Sequence, residues 1–141
     1  FVDAETQSDE CCCTGLDGLG RSVFGGYEMS PALDSGARLT QRDPVGVSEW
    51  QVASFGGGGL TDDRFNDLYV AVDGTVWATG AVDGRAVTWS FDAAGAARWY
   101  GWNGVYDAVV VDSGDALSVA SAAVYVAGRS GDGLAVMKYA R

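Results

Sequence analysis

The stretch "VWATGAVDGRAVTWSF", residues 76–91, decides how the rest of the chain is read. In its second half Val87, Trp89 and Phe91 alternate with Ala86, Thr88 and Ser90. Such a period of two, rich in β-branched and aromatic residues, predicts strands and not helices. Asp83-Gly84 stands between two such runs. Asp-Gly in that setting predicts a hairpin, because its tight turn needs positive φ. The same grammar recurs outward. "DLYVAVDGTVWATG" (67–80) reads as two short strands around Asp73-Gly74. "GLAVMKY" (133–139) sets Leu134, Val136 and Lys138 against Ala135, Met137 and Tyr139. Asp-Gly also occurs at 17–18 and 132–133. Glycine totals 21 of 141 residues, about twice the usual share of roughly 7%. These glycines keep company with Asp, Ser and Asn, as in chains with many tight turns.

The opening stretch also has a copy. Residues 76–91 align without gaps on 124–139, "VYVAGRSGDGLAVMKY", at an offset of 48. A second pair sets 37–50, "ARLTQRDPVGVSEW", on 86–99, "AVTWSFDAAGAARW", at an offset of 49. In the second pair Asp43 meets Asp92, Gly46 meets Gly95 and Trp50 meets Trp99. Two nearly equal offsets imply a repeat of about 48 residues, the size of four short strands. The expected units are about 21–46, 47–95 and 96–141, together an all-β repeat domain over 21–141. Residues 1–20 are expected as an extended, cysteine-bearing N-terminal arm outside the repeats.

The sequence "EWQVASFGG…DLYVAVDGTVWATG" resembles the bacterial-type β-propeller repeat. Its blades read Trp, then Phe-Gly-Gly, then an apolar strand ending in Asp, a Gly turn, and an aromatic-x-x-Gly strand. The resemblance covers 47–95 closely and 96–141 loosely, where "WYGWNG" replaces the Phe-Gly-Gly and "SGDALSVAS" lengthens the middle. It implies antiparallel, propeller-like blades, two to three in number, and therefore an incomplete ring. Other protein chains, most simply further copies, are then expected to cover the open strands. A compact β-sandwich is the alternative architecture.

Composition narrows the chemistry. The net charge of −10, from 19 acidic and 9 basic residues, repels phosphate backbones and anionic lipid, so neither nucleic acid nor a membrane surface is an expected partner. Histidine is absent, which closes the Ser-His-Asp triad, the Cys-His dyad and His metal sites. No apolar run approaches the ~20 residues that span a bilayer. The sequence starts at Phe1, a residue too large for ordinary Met removal, and is expected to begin inside a longer precursor.

Four groups of residues are candidates for function. Cys11, Cys12 and Cys13 are consecutive and are the only cysteines. Their spacing does not suit a Cys-x-x-Cys metal site, and no metal or cofactor is expected. The odd count favours an interchain contact or disulfide, and quiet buried thiols are the alternative. The run "RWYGWNGVYD" offers Trp99, Trp102 and Tyr106 as a sugar-stacking platform, with Asn103 and Asp107 to bond hydroxyls. Trp99, however, aligns with Trp50, which points to packing. Most acidic residues fall in turns, where Asp bonds its own backbone. "DSGDALS" (112–118) and "SGDG" (130–133) contain clustered oxygens but no EF-hand pattern. "FGGGGL" (55–60) lacks the Lys-Ser/Thr of a phosphate loop. The expected function is a non-catalytic structural or binding module of a larger assembly, such as a virion (capsid decoration or tail) or an extracellular surface component. A small propeller lectin that binds glycans and a fragment of a carbohydrate-active enzyme are the alternatives.

Overall fold

The computed structural model describes residues 9–29, 35–55, 63–102 and 112–140, and every regular element among them is a β-strand. The strands are β1 (Asp9–Leu16), β2 (Ser22–Met29), β3 (Ser35–Arg42), β4 (Ser48–Phe55), β5 (Arg64–Val70), β6 (Val76–Val82), β7 (Arg85–Phe91), β8 (Ala97–Trp102), β9 (Ser113–Val119), β10 (Ala123–Ser130) and β11 (Gly133–Ala140). They form three antiparallel meanders: β1-β2-β3-β4, β5-β6-β7-β8 and β9-β10-β11. The fold is all-β, as the period of two predicts, and its sheets close no barrel.

The three sheets stack face to face. β5 lies across β1, β2 and β3, and β9 lies across β5, β6 and β7. Between the first two sheets Val23, Ala37 and Leu39 meet Phe65, Leu68, Val76, Ala78, Val87 and Phe91. Between the second and third, Trp77 packs with Val124 and Val126, flanked by Trp99, Leu117, Val119, Met137 and Tyr139. The middle sheet is covered on both sides, so every residue of β6 is buried. Both faces of "VWATGAV" are accordingly small or apolar, as sheets covered on both faces require.

Sheet boundaries fall elsewhere than the expected units. Residues 48–55, expected in the second unit, are β4, the last strand of the first sheet. Residues 97–102, expected to start the third, are β8, the last strand of the second. The cysteines, expected in an arm, lie in β1, which pairs with β2 over its whole length. A repeat period fixes which residues correspond. It does not fix where one sheet stops, and that is why the grouping escaped the sequence pattern.

Two local devices recur through the stack. The first is a five-residue connection, seen at 17–21, 43–47, 71–75 and 92–96. In each, the amide of the first residue donates to the carbonyl of the fifth, and the amide of a fourth-position glycine donates to the first carbonyl. Those glycines, Gly20, Gly46, Gly74 and Gly95, have φ of 77°, 92°, 83° and 81°, a left-handed conformation that side chains rarely adopt. In three of the four, the leading Asp accepts the third and fifth amides on Oδ1. The Asp-Gly pairs at 17–18 and 73–74 therefore belong to longer, capped loops. Only Asp83-Gly84 forms the two-residue turn with both φ positive, at 53° and 66°. At the β10–β11 turn the two residues are Gly131 and Asp132.

The second device is a β-bulge in the first strand of every sheet. Register shifts between Cys11 and Cys13, between Phe65 and Asp67, and opposite Ala127 and Gly128 leave Cys12, Asn66 and Asp115 as the extra residues. Opposite each bulge stands a glycine: Gly26, Gly80 or Gly128. A Cβ there would collide with the backbone carbonyl of Glu10, Arg64 or Ser113 respectively.

Candidate interaction surfaces

The bulge explains how three adjacent cysteines are displayed. Cys11 pairs with Gly26 and Cys13 with Gly25, while Cys12 is the unpaired extra residue. All three are free thiols, Cys11 and Cys12 exposed and Cys13 partly buried. The Cys11 thiol donates to the Cys13 carbonyl at 3.4 Å. The Cys13 thiol points into the stack and donates to the Phe65 carbonyl of the second sheet at 3.9 Å. Burial, and then the Asp67 carboxylate, push the Cys13 thiol up to about 12. Desolvation, followed by Glu10, raises Cys12 as well. Cys12 and Cys13 are thus neutral thiols near pH 7, and the thiolate is the reactive form. Among the described residues no group of three His, Cys, Asp or Glu is placed to hold a metal ion.

The aromatic candidates meet different fates. Trp99 sits on β8, its ring 5.0 Å from Tyr139 and 5.7 Å from Trp77. Trp50, its counterpart on β4, stacks on Phe91 at 6.3 Å, and its Nε1 donates to the Ala93 carbonyl at 3.3 Å. Each of these tryptophans clamps the last strand of one sheet onto the third strand of the next. Trp102 ends β8 opposite Val87. Its side chain, and Asn103, Tyr106 and Asp107 entirely, lie outside the described residues.

Many carboxylates are engaged in holding backbone. Asp17 is the clearest case, its side chain 1% exposed. Burial alone would raise its carboxyl, but the Arg21 guanidinium at 2.6 Å and the amides of Arg21 and Leu19 more than offset this. They hold it below the ordinary aspartate value. Asp67 accepts the Leu117 amide at 2.7 Å and ties the second sheet to the third. Asn66 does the same by donating to the Gly114 carbonyl at 2.9 Å. In the segments with clustered oxygens, Asp112 accepts the Gly131 amide and Asp115 pairs with Arg129.

Two surfaces at opposite ends of the stack remain. On the first sheet, the face turned away from the second holds a cleft of about 430 Å³ lined by Glu10, Cys11, Phe24, Tyr27, Arg38 and Arg42. Phe24 is 36% exposed there. Arg38 is paired with Glu28 and donates to the Gln51 side chain. On the third sheet, the face turned away from the second exposes Leu134 (81%), Val136 (69%) and Tyr125 (42%). Lys138 lies over the Tyr125 ring at 5.6 Å. Sequence reasoning did not single out either surface. The signal for the second was present in "GLAVMKY", apolar on both of its faces. Phe24, in "SVFGGYEM", gave only one exposed aromatic among glycines.

No protein-family model matches the chain, and no curated protein sequence matches it.

Proposed function

We propose that this chain is a non-catalytic structural and binding module of a larger assembly, on a virion as a decoration or tail component or on an extracellular surface. One observation carries the reading: the third sheet presents Leu134, Val136 and Tyr125 to solvent on one face. A contiguous exposed apolar face marks an interaction surface. The carboxylates add support, since Asp17, Asp43, Asp67, Asp92 and Asp112 accept backbone amides. A general acid and base need carboxylates that face a substrate instead. The three meanders are read as β-propeller-like blades. Supporting this are the four-strand size of two of them, the bulge repeated in each first strand, and the Trp clamp repeated between successive sheets.

The lectin alternative is the weaker one, because Trp99, its central residue, is sandwiched between Tyr139 and Trp77. Amide hydrogen exchange separates the readings. In the native particle or surface fraction, amides of 133–140 should exchange more slowly than in the isolated chain. Equal exchange in both, together with hydrolysis of a glycoside by the isolated chain, would sink the proposal.

A further inference from the structure

The chain contains its own template for a contact that its two end surfaces can continue. Tyr125, Ala127, Leu134, Val136 and Lys138 stand at the positions of Trp77, Thr79, Ala86, Thr88 and Ser90, 48 residues earlier. In the second sheet all five are buried, on the face that receives the third. The open face of the third sheet thus repeats, position by position, a face that already holds a sheet. At the other end, Cys11 and Phe24 stand where the second sheet has Phe65 and Ala78, counted from the bulge glycines Gly26 and Gly80. Phe65 and Ala78 are buried against the first sheet. The outer face of the first sheet therefore repeats the face by which a later sheet sits on an earlier one.

We infer that the occupant of the third-sheet face is a second copy of this chain, docked head to tail by the outer face of its first sheet. Tyr125 of one copy enters the cleft beside Phe24 of the next. The internal contact sets this pairing. Trp77 packs on Val126, Trp77 corresponds to Tyr125, and Val126 corresponds to Phe24. The chemistry agrees with the geometry. The cleft has a thiol, two aromatic rings and the side chains of Arg38 and Arg42 on its walls, and an aromatic ring is attracted to apolar walls bearing guanidinium groups. Lys138 beside Tyr125 is the only lysine of a chain whose net charge is −10, and Glu10 lines the receiving cleft. The contact is heterologous, so it closes a ring if the rotation allows and otherwise extends. The inference rests on the reading of the chain as an interaction module and names its partner.

Sedimentation of the full chain over an about hundredfold concentration range tests it. Species of twice the chain mass or more are expected. Val136→Asp on one surface and Phe24→Asp on the other should each weaken association about tenfold or more. Both sites are exposed, and unchanged circular dichroism shows that the sheets persist. A mixture of the two variants should recover a species of two chains and nothing larger, because each pair retains one intact contact. Independently of any variant, Cys11 in the cleft should react with a thiol reagent several-fold more slowly in the associated chain. A monomer at every concentration overturns the inference while leaving the interaction-module reading to its own exchange test. Loss of association in Val136→Asp but not in Phe24→Asp also overturns it, since third-sheet faces would then pair with each other.

Discussion

The hairpins β6–β7 and β10–β11 have the same internal register. Val76 pairs with Phe91 in one and Val124 with Tyr139 in the other. Their burial nevertheless differs. β6 is buried throughout, whereas β11 alternates between exposed and half-buried residues. What separates them is their neighbours: the first hairpin has a sheet on each side and the second a sheet on one. Local sequence thus sets register and turn, and place in the stack sets burial. Two equivalent residues can carry the same apolar character and contribute very different amounts to stability.

The sharpest way to break the comparison is to place one charge at equivalent sites. Thr88 is fully buried and shares a 3.1 Å hydrogen bond with Thr79. Thr88→Asp should cost about 4 kcal/mol or more, because it buries an unpaired carboxylate. At Val136, the matching site, the same change should move stability by no more than about 0.5 kcal/mol. Urea denaturation of both variants measures the difference, and equal losses would refute the neighbour argument.

The bulge glycines sharpen the comparison from the other side, since their constraint is internal to each sheet. Gly80→Ala and Gly128→Ala both drive a Cβ toward a backbone carbonyl. Each should cost about 2–3 kcal/mol, with similar losses despite unequal burial of the two hairpins. A harmless Gly128→Ala beside a damaging Gly80→Ala would place the constraint in the stack instead.

The first sheet extends the test to its capped loop. Asp17→Asn removes a buried charge-assisted pair with Arg21 and should cost about 2 kcal/mol at neutral pH. The Asp17 carboxyl is held below its unfolded value of 3.8. The stabilisation it supplies is therefore complete above that value and is lost as pH falls through the lower folded one. Acid titration of stability should be shallower in Asp17→Asn than in the wild type.

The smallest effect at neutral pH belongs to Cys13. Its thiol titrates near 12 when folded, against 9.0 unexposed to the fold. The neutral thiol favours the folded state, so its contribution is complete below pH 9.0 and declines as pH climbs toward about 12. Cys13→Ala should change neutral stability modestly and remove part of the alkaline decline. Thiol labelling of the native chain should report Cys11 and Cys12 quickly, with Cys13 delayed until unfolding.

Much of the architecture was legible in the residues. Alternation and Asp83-Gly84 gave the central hairpin, and the equivalence of Trp50 and Trp99 pointed to packing. Three things were not legible. The grouping of β4 and β8 depends on which strands pair, a long-range matter that a local period does not encode. The cysteine strand escaped because its bulge interrupts the alternation at Cys12. The open face of the third sheet escaped because Leu134 and Val136 look like residues that are buried two strands deep. Exposure is a relation between sheets, and a single strand does not record it.

The repeated bulge has a consequence for how this molecule tolerates change. Cys12, Asn66 and Asp115 occupy one structural slot in three sheets, and a thiol, an amide and a carboxylate all fit it. The slot makes no ladder pair, and the glycine across from it absorbs the steric demand. Side-chain identity is thereby uncoupled from strand pairing at one point in every sheet. Mutational drift or deliberate labelling can exchange chemistry at that point, sheet by sheet, while the backbone pattern around it stays the same.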